Sequence, residues 1–235
     1  MRNLKRIISA LGAVVLVVAV SSCSPEYIPN MVNTPMFKEK GEIQGNLAAG
    51  VSGTDVQLAY ALGDHVALMA NGSFYDETSD TTDDFHRHTL YEVGAGYYDQ
   101  IGGHGRYEIF GGVGTGKIKG YWENSPLDNP VSDARFVKFF IQPAIGLQSD
   151  YADGSLGSRW VLVRTDYNEE EPEAQAGFHP FFEPFIMGRL GFKNIKLISQ
   201  LGFSIPVGEE VPFDYQPFMF NVGLHLNIST LSGDQ

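Results

Sequence analysis

The feature that most constrains this chain is a two-residue hydrophobic period that runs with few breaks from residue 41 to residue 228. Successive side chains of a strand point to opposite faces, so apolar residues at every second position mark a strand with one apolar face. Ile43, Leu47, Ala49 and Val51 fall on one face against Glu42, Gln44 and Asn46, and Val56, Leu58, Tyr60 and Leu62 repeat the pattern against Asp55 and Gln57. The same beat returns at Val66, Leu68, Ala70 and Phe74, at Tyr91, Val93, Ala95 and Tyr97, and at Tyr107, Ile109 and Val113. It continues at Val137, Phe139, Ile141, Ile145 and Leu147, then at Val161 and Val163 in a shorter stretch beginning near Trp160. Phe182, Ile186, Leu190 and Phe192, then Ile195, Leu197, Leu201, Phe203 and Ile205, and finally Phe218, Phe220, Val222, Leu224, Leu226 and Ile228 complete the series. About ten strands are predicted, with eight as the other count, and many reach the roughly 9 to 11 residues that a tilted strand needs to cross a bilayer.

The connections alternate in length. Gly63-Asp64, the glycine-rich stretch around His104, residues 150–158 and Lys193-Asn194 are mostly short, whereas residues 76–87, 123–134, 166–178 and 207–216 are longer and polar. Short turns on one side and long loops on the other are the pattern of a transmembrane barrel, and only the first connection, at Gly53-Thr54, is short where a long one is expected. An even strand count places both termini at the short-turn, periplasmic side.

The first residues read as a secretory leader: Arg2, Lys5 and Arg6 precede an apolar run over residues 7–20, too short to span a bilayer comfortably. Val20-Ser21-Ser22-Cys23 resembles the lipobox of bacterial lipoproteins, and Cys23 is the sole cysteine, which excludes an intramolecular disulfide. The resemblance implies that Cys23 becomes the acylated N-terminus, carrying diacylglyceryl and palmitate-type chains, with Ser24 directing the protein to the outer membrane. The full chain has a formal charge of −12, and loss of the three leader cations would leave −15. Such an excess of acid argues against nucleic acid as a partner.

The stretches Tyr27-Ile28-Pro29-Asn30, Pro35-Met36-Phe37 and Glu39-Lys40-Gly41-Glu42, followed by alternating strands, resemble small outer-membrane β-barrel lipoproteins of the Bacteroidota type. The resemblance implies a place and a fold, not a reaction. The chain departs from the common porin pattern by ending in Ser-Gly-Asp-Gln instead of an aromatic residue.

Several constellations invite chemistry. Gly111-Gly112-Val113-Gly114-Thr115-Gly116-Lys117-Ile118 nearly spells a phosphate loop, but Ile118 stands where a hydroxyl residue should hold Mg²⁺, and no helix follows. The glycines read better as room for bulky neighbours in a narrow lumen. Glu92, Glu108 and Glu183 against Lys138, Arg164 and Arg189 predict a charge network that closes the lumen, since buried charges must be paired. Asp80, Asp83 and Asp84 are weak metal candidates within an acidic loop that matches no EF-hand spacing. His86 and His88 share one side of a strand end, while His104 belongs to a turn at the opposite side; no Ser, His and acid stand where a catalytic triad would need them.

The reading is an all-β protein whose mature domain is an antiparallel, transmembrane, up-and-down β-barrel. Residues 1–22 form the leader, 23–40 a proline-containing extended tether, 41–229 the barrel and 230–235 a tail. It serves as a structural or accessory protein or a narrow channel, is not an enzyme, and needs no cofactor. It is anchored in the outer membrane through Cys23, with membrane lipid and other envelope proteins as partners. A soluble lipocalin-like binding protein on a lipid tether is the rival, with the faces inverted; an outer-membrane lipid-modifying hydrolase ranks below it.

Overall fold

The computed structural model describes residues 25–79, 82–121, 131–167, 177–208 and 211–228. Ten strands follow one another around the wall: β1 (Ile43–Gly50), β2 (Gly53–Ala61), β3 (Val66–Thr78), β4 (Phe85–Ile101), β5 (Gly105–Tyr121), β6 (Val131–Gln148), β7 (Ala152–Tyr167), β8 (His179–Gly191), β9 (Ile195–Phe203) and, after the two-residue β10 (Ile205–Pro206), β11 (Phe218–Asn227). Each pairs antiparallel with its neighbour, and β11 returns to β1 through Gln44 to Asn227 and onward, so the sheet is a closed meander. β10 only prolongs the edge of β9 along β8, at Ile205 opposite Phe182. Closure leaves no unpaired edge.

The period read from the sequence survives almost everywhere. Leu47, Val56, Leu58, Val66, Leu68, Val93, Val113, Ile141, Leu197, Val222 and Leu224 are exposed on the outer wall, while Gln44, Asn46, Gln57, Asn71, Glu92, Gln142, Gln200 and Asn221 are buried inside. The barrel is therefore apolar outside, while within it polar and charged side chains share the lumen with a cluster of buried aromatic and aliphatic ones, among them Phe110, Phe136, Phe140 and Phe181.

Two departures matter. β4 to β7 have 16 to 18 residues, well beyond the expected span, because the arms of the long loops continue as strand. At about 3.3 Å per residue those strands are ~55 Å long, against ~26 Å for the eight residues of β1. The extra height lies at the long-loop mouth. The low point there is the tight β1–β2 hairpin, where Gly53 has φ +89° and its missing Cβ would stand 2.4 Å from the Phe74 carbonyl oxygen, so only glycine fits.

The second departure concerns residues 23–40, expected as a tether. Residues 25–40 are indeed without helix or extended sheet, but from Tyr27 to Phe37 every residue is buried. The segment runs down the inside of the barrel. At the long-loop mouth Tyr27 forms a parallel bridge with Tyr215, and the Glu26 and Tyr27 amides donate to the Asp214 carbonyl at 2.8 and 3.1 Å. At the short-turn mouth Lys38 reaches Asp150, and the Gly41 amide donates to the Ala61 carbonyl before β1 begins. The physical reason is plain in hindsight: residues 27–37 carry no charge and include Tyr27, Ile28, Met31, Val32, Met36 and Phe37, which an exposed linker would not bury. The expectation that both termini share one mouth thus holds for the start of β1 and the end of β11, and fails for the chain that precedes β1.

Candidate functional site

The lumen is built in layers around this threaded segment. Toward the long-loop mouth Tyr27 packs edge-on against Phe136 at 5.8 Å and beside Phe181 at 5.0 Å, with Phe213 and Tyr215 above. Toward the short-turn mouth Phe37 lies against Tyr98 at 5.2 Å. Between them sit Met31 with Ala48, Met187 and Ile198, and Val32 and Met36 with Ala144 and Phe185.

An extended strand without strand neighbours leaves its amides and carbonyls unpaired, which is costly when buried. Here inward side chains of the wall supply the partners. Gln57 donates to the Met31 carbonyl at 2.6 Å. Gln200 accepts from the Val32 amide at 2.7 Å and donates to its carbonyl at 2.9 Å, and Gln142 donates to the Asn33 carbonyl at 2.7 Å. Arg189 donates to the Thr34 and Pro35 carbonyls, and Glu108 accepts from the Met36 amide at 2.8 Å.

The charged layer is centred on Asn30. Its amide donates to Glu92 at 2.6 Å, and its side-chain oxygen accepts from Lys138 at 2.9 Å and from Arg159 at 3.0 Å. Lys138 meets Glu92 at 2.6 Å, and Arg159 meets Glu183 at 2.6 Å and Glu92 at 3.4 Å. Tyr27 donates its hydroxyl to Glu183 at 2.8 Å. The geometry follows from register: Glu92, Gly114 and Lys138 stand in one row across β4, β5 and β6, and Arg159 stands directly opposite Glu183. Glycine between the two partners lets their side chains meet. A Cβ on Gly114 would come within 2.9 Å of the Glu92 side chain and 3.1 Å of that of Lys138. Gly112 and Gly116 leave room in the same way for Phe140 and Phe136, so the stretch that nearly spells a phosphate loop is a strand of β5 shaped by its neighbours. A lower group joins Arg189 to Asp153 at 3.9 Å, and Asp153 to Lys196 at 2.8 Å.

Of the six charges expected in the lumen, Glu92, Glu108, Lys138, Glu183 and Arg189 are buried there. Arg164 is not: it faces outward and pairs with Asp166 at 3.2 Å, both side chains about half exposed. The seat belongs to Arg159. Arg159-Trp160-Val161-Leu162-Val163-Arg164 carries apolar residues at both parities, and the structure turns Trp160 and Leu162 out and Val161 and Val163 in, opposite to expectation. Asn30 and the threaded segment were missed with it.

Other candidates do not converge. Cys23, Trp122, Asp80 and most acids of the long loops lie outside the described residues. Asp83 is exposed, Asp84 accepts from Thr82 at 2.7 Å, and among the described residues no three His, Cys, Asp or Glu side chains form a metal-binding group. His86 and His88 touch at 3.1 Å near the long-loop mouth, while His104 lies against the Gln148 carbonyl in a short turn. His88 approaches Ser52 at 2.9 Å, but at its carbonyl oxygen; the Ser52 hydroxyl donates to Asp55 at 2.8 Å. That is no nucleophile and base pair.

Fold and lumen together define a closed, antiparallel, ten-stranded β-barrel plugged by its own N-terminal segment. No protein-family model matches the chain, and no curated protein is similar to it.

Proposed function

We propose that this chain is a lipid-anchored outer-membrane β-barrel, the place and fold that its resemblance to Bacteroidota-type barrel lipoproteins implies, with a closed lumen and a structural or accessory role. The observation that carries this is the inversion of the wall: large apolar side chains point outward on every strand of the barrel, while Glu, Lys, Arg, Asn and Gln point inward. In water that arrangement would expose an apolar girdle far larger than the few hundred Å² that soluble monomers show. In lipid it is the lowest-energy choice. Aromatic pairs stand on the outer wall toward both edges of the girdle, Tyr97 with Tyr107 at 6.0 Å and Phe74 with Tyr91 at 5.6 Å, where amphipathic rings favour an interface. A lipocalin-like role requires an empty interior and a polar outer wall, and here residues 27–37 fill the interior and the outer wall is apolar.

The filled lumen favours a closed barrel over a channel. It also moves the anchor. Pro25 lies two positions beyond Cys23, with Ser24 between them, a reach of at most about 7 Å. A lipid on Cys23 therefore inserts in the leaflet at the long-loop mouth, not beside the short turns. With long loops outside, as in other outer-membrane barrels, this is a lipoprotein anchored at the cell surface.

The test is extraction of a Cys23→Ser variant. It should stay with the membrane through carbonate washing and keep a heat-modifiable gel shift. Release as a soluble, folded protein would overturn the reading. Protease accessibility of tags in the 123–130 loop and the 192–194 turn then assigns the sides.

A further inference from the structure

We propose that the outer wall of β4 to β7, at the upper edge of the apolar girdle, binds the phosphate headgroup of an anionic lipid; this rests on the membrane reading above. Beyond the leader, exposed cations are few in this acidic chain, and five of them gather here: Arg87 on β4, Lys117 and Lys119 on β5, Arg135 on β6 and Arg164 on β7. All five face outward. The register places Arg87 opposite Lys119, Lys117 opposite Arg135, and Arg164 opposite Val137. With strands ~4.8 Å apart and same-face residues about 7 Å apart along each, the cluster covers a patch roughly 15 Å across and 14 Å high.

Three of the five have carboxylate partners at their side. Arg87 pairs with Asp76 at 2.7 Å, Lys119 with Asp133 at 3.0 Å and Arg164 with Asp166 at 3.2 Å. Lys117 and Arg135 form no ion pair among the described residues; they stand directly opposite each other on the same face of adjacent strands, with Asp166, held by Arg164, opposite Arg135 on its other side. Like charges in that position are destabilising unless an anion lies between them. A groove of about 410 Å³ opens beside Lys117, on the side away from Arg135, between Phe74, Asp76, Arg87, Thr89, Lys117 and Lys119.

The occupant follows from what lies above and below. Below the cations the same wall is apolar through Val93, Val113, Val137 and Phe139, all exposed. A ligand that fits both halves has an anionic head and acyl chains. Phosphate matches the guanidinium of Arg135 through two oxygens and Lys117 as a point charge. The acyl chains then lie along the girdle, where membrane lipid must lie in any case.

The purified full-length lipoprotein is exchanged into mixed micelles of neutral detergent with phosphatidylglycerol or with phosphatidylcholine, and lipid retained per barrel is measured by native mass spectrometry. The wild type should retain phosphatidylglycerol over phosphatidylcholine. K117Q/R135Q should weaken that retention by about thirtyfold, at about 1 kcal/mol per basic side chain near an anionic surface. Both side chains are solvated and outward, so the variant should keep its heat-modifiable migration, and in neutral detergent alone it should melt no lower than the wild type. K193Q, a cation at the short-turn end, should change nothing. Equal retention by wild type and K117Q/R135Q overturns the proposal. So does abolition of retention by millimolar inorganic phosphate, which would assign the patch to the free ion. If the membrane reading itself fails, Cys23→Ser protein is soluble without detergent; if only the lipid site fails, the barrel stays embedded and lipid-blind.

Discussion

Truncating Arg159 should damage this protein far more than truncating Arg164, although the two residues lie five positions apart on one strand and carry the same charge. The Arg159 guanidinium is buried and makes four contacts: to Glu183 at 2.6 Å, to the Asn30 side chain at 3.0 Å and its carbonyl at 3.1 Å, and to Glu92 at 3.4 Å. Without it Glu92 still holds Lys138, but Glu183 keeps only the hydroxyls of Tyr27 and Ser204 and becomes a buried carboxylate without a cation. Stranding one partner of a buried pair costs about 3 to 5 kcal/mol. Arg164 and Asp166 are 48% and 60% exposed, and such a pair is worth roughly 0 to 1 kcal/mol. With a denaturant slope of about 2 kcal/mol/M, Arg159→Ala should lower the urea midpoint of the detergent-solubilised barrel by about 1.5 to 2.5 M, and Arg164→Ala by no more than about 0.5 M. Adding Glu183→Gln to Arg159→Ala removes the stranded charge and should recover part of the loss. Equal midpoints for the two single variants, or a further fall on adding Glu183→Gln, would refute the assignment of β7 and of the network.

Three further outcomes are expected. Leu47→Arg, in the middle of β1 and 54% exposed, should cost about 2 to 4 kcal/mol when the barrel is refolded into vesicles, whereas on a water-facing wall the change would stay within about 0.5 kcal/mol. Gly116→Ala should destabilise by about 1 to 3 kcal/mol, since the new Cβ would lie 2.3 Å from the Phe136 ring, while Gly188→Ala, with nothing within 4 Å, should be close to neutral in the same melts. Asn30→Ala takes an acceptor from Lys138 and Arg159 and a donor from Glu92, at about 2 to 4 kcal/mol in all; limited proteolysis should then reach residues 27–37, and unchanged protection would contradict the plug.

The wall was legible because a strand with one apolar outer face and one lumen face must alternate, and it does so at Val56, Leu58 and Tyr60 or at Leu197, Leu201 and Phe203. Where both parities are apolar, as at Trp160, Val161, Leu162 and Val163, periodicity cannot choose, and only the ion pair of Arg159 with Glu183 decides. The charges of the network could be named from parity, but their joint partner could not. Asn30 has no period, and its role depends on a segment that crosses from one mouth to the other. The signal present was the absence of charge over residues 27–37, which proline at positions 29 and 35 disguised as linker.

The threaded segment also dictates an order of assembly. Residues 27–37 precede every strand in the chain, yet they are enclosed by a seam that joins Gln44 to Asn227, almost the last residue of the wall. Passing residues 27–37 through a finished ring lined with paired charges would require breaking each of those pairs in turn. The workable route is the reverse: the segment is laid down first, the sheet curls round it, and β1 meets β11 last. Nascent wall and lining then mature as one cooperative unit. Protein whose seam has not closed should be distinguished from finished protein by an N-terminus that proteases can still reach.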